Sequence, residues 1–122
     1  MAAKILVVDD DQDIVFMLKS TLEKNGYEAI SAGDGQEALK LLKSQTPALI
    51  IADLTMPNMS GWHFTTKLRE DERFKDTPII VLSGLVESER PPEIFESASV
   101  YMSKPFDIFE VIAKVKELLK GR

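Results

Sequence analysis

The chain of 122 residues has no cysteine and only one histidine. The absence of cysteine excludes disulfide bonds, thiolate metal sites and a cysteine nucleophile, so packing must stabilise the fold. No apolar run approaches the roughly 20 residues that span a bilayer, and the first residues lack the long apolar segment of a signal peptide. We therefore predict a cytoplasmic protein without membrane insertion.

A cluster of basic residues is also missing. The formal net charge is -5, and the lysines are spread over the predicted helices. Contact with nucleic-acid phosphates normally requires a basic face, so we expect no direct nucleic-acid binding. The hydrophobic content of 44% and the charged content of 29% are typical of a soluble globular fold. The length fits one domain, which we assign to residues 1–122.

Short apolar runs alternate with helical patterns along the chain. Residues 5–8, 48–52 and 79–82 are almost continuously apolar, which is typical of strands buried on both faces of a parallel sheet. Weaker strands are predicted at residues 28–31 and 100–102. Apolar residues recur at helical spacing between the strands. This alternation predicts a doubly wound α/β fold, a parallel sheet of five strands with helices on both faces.

Turn and capping residues mark the predicted helix ends. Asn25 and Gly26 can close the first helix, and Asp34 with Glu37 offers a capping box at the start of the second. The proline pair at residues 91–92 interrupts the expected fourth helix, because proline is tolerated in the first turn of a helix but not in its interior. We therefore predict that this helix is short and begins near Pro92.

Polar residues follow the predicted strands at their carboxyl ends, where open α/β sheets bind ligands. They are three carboxylates, one hydroxyl and one amine, contributed by Asp9, Asp10, Asp53, Ser83 and Lys104. Carboxylates held this close repel each other unless a cation neutralises them, and Mg²⁺ prefers such oxygen ligands. We predict a site for Mg²⁺, or Mn²⁺ in its place, beside which Lys104 and Ser83 can hold phosphoryl oxygens.

The acidic run from Asp9 to Asp13 has two other interpretations. It could be an ordinary solvated loop, or a calcium-binding loop of the EF-hand type. The EF-hand loop needs glycine at its sixth position and glutamate at its twelfth, where this chain has Ile14 and Ser20. The buried strand that precedes the run favours a site at a sheet edge over a solvated loop.

Four sequence blocks resemble those of response-regulator receiver domains. They are ILVVDD at residues 5–10, DLTMP at residues 53–57 followed by Gly61, IVLS at residues 80–83 and KPF at residues 104–106. The blocks occur in the order and spacing of that family, and the resemblance covers essentially the whole chain. It implies a flavodoxin-like sheet with the strand order 2-1-3-4-5.

The resemblance also implies a role for each matching residue in the metal site. Asp53 matches the phosphoacceptor, which also contributes to the metal site, and Asp10 matches the direct metal ligand. Asp9 matches the second acidic residue, which usually acts through a water molecule. The backbone carbonyl of Thr55 matches a further metal ligand.

Other matching residues are implied to contact or sense the phosphoryl group. Lys104 and Ser83 match the pair that holds it, and the bond between Lys104 and Pro105 matches a cis peptide bond of the family. Tyr101 matches the switch aromatic, whose ring turns inward when Ser83 moves toward the phosphate.

Taken together, these roles imply a signalling phosphoacceptor and not an enzyme with an external substrate. The donor would be a sensor histidine kinase or a phosphotransfer protein. The output would be a partner protein or an output domain, controlled through the face of the fourth helix, fifth strand and fifth helix. The proline pair and Gly84, which stands where alanine is usual, leave the choice of partner open.

Three alternative functions are less consistent with the residues. A phosphatase with an aspartyl-phosphate intermediate typically has a second aspartate two residues after the first, where this chain has Thr55. A flavin-binding protein of the same topology would need a loop rich in Ser, Thr and Gly after the first strand, not an aspartate triplet. An interaction module that needs no phosphate would not require the complete set of site residues.

Overall fold

The computed structural model of the protein describes residues 2–53, 61–84 and 98–120. Within these residues the chain forms five strands and four helices. The strands are β1 (Lys4–Val8), β2 (Glu28–Ala32), β3 (Leu49–Asp53), β4 (Ile79–Ser83) and β5 (Val100–Ser103). The helices are α1 (Gln12–Lys24), α2 (Gly35–Leu41), α3 (Gly61–Glu70) and α4 (Ile108–Leu119). The predicted strand ends lie within one residue of the observed ones.

The strands form one parallel sheet in the order β2-β1-β3-β4-β5, so the predicted order is confirmed. Val8 of β1 pairs with Ala52 of β3, and Ser83 of β4 pairs with Ser103 of β5. The strands that precede the predicted site residues therefore end side by side. This register brings residues that are far apart in sequence to one edge of the sheet.

Helices cover both faces of the sheet. Alternate side chains of a strand point to opposite faces, so strands that are apolar throughout need a helix layer on each face. One core cluster packs against α2 and α3 and contains Leu6, Val8, Ile50, Ala52, Val81, Phe64 and Leu68. The other packs against α1 and α4 and contains Ile5, Val7, Ile51, Ile80, Leu82, Leu18, Leu22, Val111 and Val115. Burying one such large apolar side chain contributes about 1.5–3 kcal/mol. The two clusters explain why the strands are almost continuously apolar.

The end of α1 has the predicted turn. Gly26 adopts a φ of 88°, and its N–H donates to the carbonyl of Glu23. The N–H of Tyr27 donates to the carbonyl of Leu22. This pair of hydrogen bonds is the Schellman pattern, which needs a residue that tolerates positive φ. The predicted role of Asn25 and Gly26 in closing the helix is therefore confirmed.

The start of α2 differs in one respect from the predicted capping box. Asp34 is the N-cap residue, and its side chain accepts from the N–H of Glu37 at 2.8 Å, as predicted. The carboxylate of Glu37, however, accepts from the N–H of Gly33, one residue before the cap, at 2.9 Å. A Cβ atom at Gly33 would lie 3.2 Å from that carboxylate, so glycine leaves the space for this contact.

Two predictions fall outside the described residues, namely the short helix near Pro92 and the carbonyl ligand of Thr55. The helix α4 corresponds to the fifth predicted helix. In the part of the chain that the structure describes, every helix is too short or too polar to cross a membrane.

Candidate functional site

Three carboxylates meet at the carboxyl edge of the sheet. Asp9 and Asp10 directly follow β1, and Asp53 is the last residue of β3. One carboxylate oxygen from each residue lies within 4.8 Å of the others. Asp9 and Asp53 are 3% and 6% exposed, whereas Asp10 is exposed to solvent. Because the buried pair has little water around it, the repulsion between these charges is poorly screened.

Lys104, which follows β5, brings a positive charge into this cluster. Its Nζ lies 3.1 Å from Oδ2 of Asp9 and 3.3 Å from Oδ2 of Asp53. Burial lowers the pKa of Lys104, but the attraction of Asp53 and the hydrogen bond to Asp9 together raise it above its ordinary value. The lysine is therefore held in its charged form. Three carboxylates against one ammonium still leave an excess of negative charge.

The carboxylate of Asp9 has a donor at each oxygen. Oδ2 accepts from Nζ of Lys104, and Oδ1 accepts from the backbone N–H of Asp11 at 2.9 Å. Asp11 was not among the predicted site residues, yet its side chain caps α1 by accepting from the N–H groups of Asp13 and Ile14. An aspartate just ahead of an amphipathic helix is an N-cap signal that could have identified it.

Ser83 lies at the same edge, as the last residue of β4, and is fully buried. Its backbone carbonyl accepts from the N–H of Lys104 at 2.7 Å, so the end of β4 is tied to the residue that carries the ammonium. A hydroxyl at this position has a proton that it can donate to an anionic oxygen. The bond between Lys104 and Pro105 is cis, as the resemblance implied.

Tyr101 lies on β5, where it pairs with Val81 of β4. Its side chain packs with Ala98 against the core cluster on the α2 and α3 side of the sheet. The hydroxyl oxygen of Tyr101 is buried. The ring therefore lies against the protein interior, on the strand that ends beside Lys104.

The ligand atoms of this site fit a hard divalent cation. The candidate ligands in this cluster of described residues are all carboxylates. Mg²⁺ binds carboxylate oxygens in octahedral geometry and keeps several waters, for which the exposed Asp10 leaves a solvent-facing side. A groove of about 550 Å³ between α1 and the turn after β2 opens beside Asp9 and Asp10. Mn²⁺ takes the same ligands.

Comparison with known proteins identifies the family. A sequence profile described as "Response regulator receiver domain" matches residues 5–116. The chain belongs to this family. The receiver domain is 43% identical over 121 residues to the transcriptional regulatory protein SrrA of Staphylococcus aureus, a match that covers 98% of the domain and 49% of SrrA. It spans about half the length of the curated relatives it matches.

Solved structures agree with this assignment. The chemotaxis response regulator CheY4 of Vibrio cholerae superposes with a TM-score of 0.90 at 33% identity, over 98% of the receiver domain and 100% of CheY4. The response regulator TrrA of Thermotoga maritima, solved in complex with Mg(2+)-BeF, has a TM-score of 0.86 at 37% identity, over 98% and 100% of the two chains. Receiver domains are signalling phosphoacceptors of two-component systems. The predicted family and fold are thus confirmed.

Proposed function

We propose that this receiver domain is a phosphorylation-dependent switch in which Asp53 accepts a phosphoryl group from a phosphohistidine donor. The main support is the grouping of Asp53 with two further carboxylates and with Lys104, whose ammonium is 3.3 Å from Asp53. Excess negative charge of this kind destabilises a fold, so its presence at a sheet edge indicates a binding role.

In the proposed reaction a carboxylate oxygen of Asp53 attacks the phosphorus atom. The new O–P bond forms as the P–N bond to the donor histidine breaks, and the imidazole leaves with the electron pair and takes up a proton from water. Lys104 then pairs with one transferred phosphoryl oxygen, and the hydroxyl of Ser83 donates to another. Ser83 ends β4, which pairs with the β3 strand of Asp53. Lys104 follows β5, the next strand beyond β4, and its ammonium lies 3.3 Å from Asp53.

Asp9, Asp10 and Asp53 would hold Mg²⁺, with the carbonyl of Thr55 as a further ligand on the family pattern. When bound, the cation neutralises negative charge on the carboxylates and on the incoming phosphoryl group. The exposed Asp10 suits direct coordination, whereas Asp9, with both oxygens engaged, suits contact through a water molecule. The similarity to TrrA, solved with Mg(2+)-BeF, supports Mg²⁺ as the cation.

The donor in this proposal is a sensor histidine kinase or a phosphotransfer protein in the cytoplasm. Movement of Ser83 toward the phosphoryl group lets the ring of Tyr101 shift. On the family pattern this changes the face assigned to the fourth predicted helix, β5 and α4. That face controls a partner protein or an output domain. Residues 1–122 form one receiver domain that does not itself bind nucleic acid, although the relative SrrA is a transcriptional regulator.

Intact mass after incubation with acetyl phosphate tests the proposal, with and without Mg²⁺. The wild type should gain one phosphoryl group only when Mg²⁺ is present, and Asp53→Asn should gain none. Asp76→Asn is the matched control, because this exposed aspartate precedes β4 at the opposite edge of the sheet. It should gain mass as the wild type does.

Two results would contradict the proposal. Labelling of Asp53→Asn at the wild-type rate would mean that another residue accepts the phosphoryl group. A folded wild type that binds Mg²⁺ but gains no mass would indicate an interaction module that works without phosphate.

A further inference from the structure

We infer that Asp11 is a positioning residue for the acidic site and acts through Asp9. This inference rests on the proposed function, since it concerns how the site is prepared for its cation. In the sequence, Asp11 lies between Asp10 and the first residue of α1. Its side chain is exposed and is not one of the three whose oxygens lie within 4.8 Å of one another. We therefore assign its effect to the hydrogen bonds that it makes.

Asp11 forms hydrogen bonds with residues both before and after it in the chain. Its backbone N–H donates to Oδ1 of Asp9 at 2.9 Å. Its side-chain Oδ1 accepts from the N–H of Asp13 at 3.0 Å and from the N–H of Ile14 at 3.3 Å. These first-turn N–H groups have no acceptor within the helix itself. One residue thus holds the Asp9 carboxylate with its backbone and the start of α1 with its side chain.

These contacts fix the orientation of the Asp9 carboxylate. Asp9 cannot rotate its carboxylate without breaking a hydrogen bond either to Asp11 or to Lys104. The helix α1 is anchored in the core by Leu18 and Leu22, so the cap links the loop to a rigid element. Without this side-chain acceptor the loop is no longer tied to the first turn, so the N–H of Asp11 moves away from Asp9, and Asp9 must reorganise when a cation binds.

An N-cap role and a charge role for Asp11 can be separated by substitution. Asparagine caps a helix about as well as aspartate does but removes the negative charge, whereas alanine removes both. Glycine at an N-cap position costs little helix stability and yet has no side-chain acceptor. A matched control is available at Asp34, which caps α2 through the N–H of Glu37 and is not one of the clustered carboxylates.

Mg²⁺ affinity measured by calorimetric titration, without any phosphodonor, tests the inference. Asp11→Ala should weaken Mg²⁺ binding by about tenfold, the lower end of the effect of removing a group that orients a metal ligand. Asp11→Asn should bind within about twofold of the wild type, since it retains the cap. Asp34→Ala should lose a comparable cap and keep the wild-type affinity. Urea unfolding of each variant establishes that it is folded.

Three results would overturn the inference. Wild-type affinity in Asp11→Ala would mean that the cap does not act on the site. Equal weakening in Asp11→Asn and Asp11→Ala would assign the effect to charge. Equal weakening in Asp34→Ala would assign it to general loss of stability. If Asp11→Ala does not fold, Asp11→Gly replaces it, with the same expected loss of affinity.

Failure of this inference can be distinguished from failure of the proposed function. The first appears as wild-type Mg²⁺ affinity in Asp11→Ala, whereas the second appears as a wild type that gains no phosphoryl group.

Discussion

Charged residues at the two ends of the sheet differ in how well they are neutralised or hydrogen-bonded. At the carboxyl end, three carboxylates share the ammonium of Lys104. At the other end, residues 71–78 connect α3 to β4. Arg69 in the last turn of α3 and Arg73 in this connection both donate to several acceptors. Nη1 of Arg69 lies 2.7–3.1 Å from three backbone carbonyl oxygens, those of Phe74, Lys75 and Thr77.

Arg73 also donates to acceptors around its guanidinium group. Its Nη2 lies 3.1 Å from the carboxylate of Asp71, and its Nη1 donates to the carbonyl of Leu42 just after α2 at 2.9 Å. The guanidinium also lies 4.6 Å from the centre of the Phe74 ring. Arg73 therefore joins α2 to the segment before β4.

This difference separates charged groups that stabilise the fold from charged groups that we propose bind a ligand. Positive groups with acceptors around them stabilise the segment before β4. From the proposed function we expect the excess of carboxylates at the opposite edge to destabilise the cation-free fold and to become favourable when a cation is bound. Substitutions at the two ends should therefore change stability in opposite directions.

The largest expected effect is a loss of stability in Arg69→Met. Burial lowers the pKa of Arg69, and the attraction of Asp76 opposes this, but an arginine remains charged at any ordinary pH. Its removal leaves three carbonyls without a charged donor, so the free energy of unfolding should fall by roughly 2–3 kcal/mol. Urea unfolding measures this change.

Lys67→Met is the control for Arg69→Met, because Lys67 is an exposed basic residue on the same helix. Its free energy of unfolding should stay within about 0.5 kcal/mol of the wild type. A stability of Arg69→Met equal to that of Lys67→Met would refute the structural role of Arg69.

An intermediate effect of opposite sign is expected for Asp10→Asn. Without divalent cations the free energy of unfolding should rise by about 1 kcal/mol, because one repelling charge leaves the cluster. Added Mg²⁺ should then raise the midpoint of thermal unfolding much less than in the wild type.

Asp13→Asn is the control for Asp10→Asn. Asp13 is exposed in the first turn of α1, where its charge interacts favourably with the helix dipole, so its loss should lower stability slightly. If Asp10→Asn also lowered stability in the absence of cations, repulsion between the carboxylates at the carboxyl edge would not destabilise the fold.

The smallest expected effect is the pH dependence that Asp71 contributes. Hydrogen bonds from the side chain and backbone of Arg73 lower the pKa of Asp71 in the folded protein. A pKa lowered by folding stabilises the folded state above the unfolded pKa of about 3.9, and this contribution disappears as the pH falls through the folded pKa.

The stability difference between the wild type and Asp71→Asn should therefore be constant near neutral pH and should shrink below about pH 4. Urea unfolding of both proteins over a pH series measures it. A difference that stays the same at low pH would mean that the ion pair with Arg73 makes no contribution.

Much of the fold and site could be predicted because the signals are local. Continuous apolar runs mark strands that are buried on both faces, and Gly26 marks a helix end because few other residues adopt its φ of 88°. The carboxylates and Lys104 were predicted to meet because parallel strands end at one edge. The contact of Glu37 with Gly33 was not predicted, because the reach of a side chain depends on the local backbone.

The amino-acid sequence by itself determined the strands, the helix ends and which residues stand at the sheet edge, since these follow from short-range sterics and from the burial of apolar runs. The tertiary structure alone decided that Lys104 bridges Asp9 and Asp53. Such contacts depend on distances of a few ångströms between residues up to 95 positions apart in the chain. Only the packed sheet and its helices set those distances, because a sequence pattern carries no information on side-chain separation.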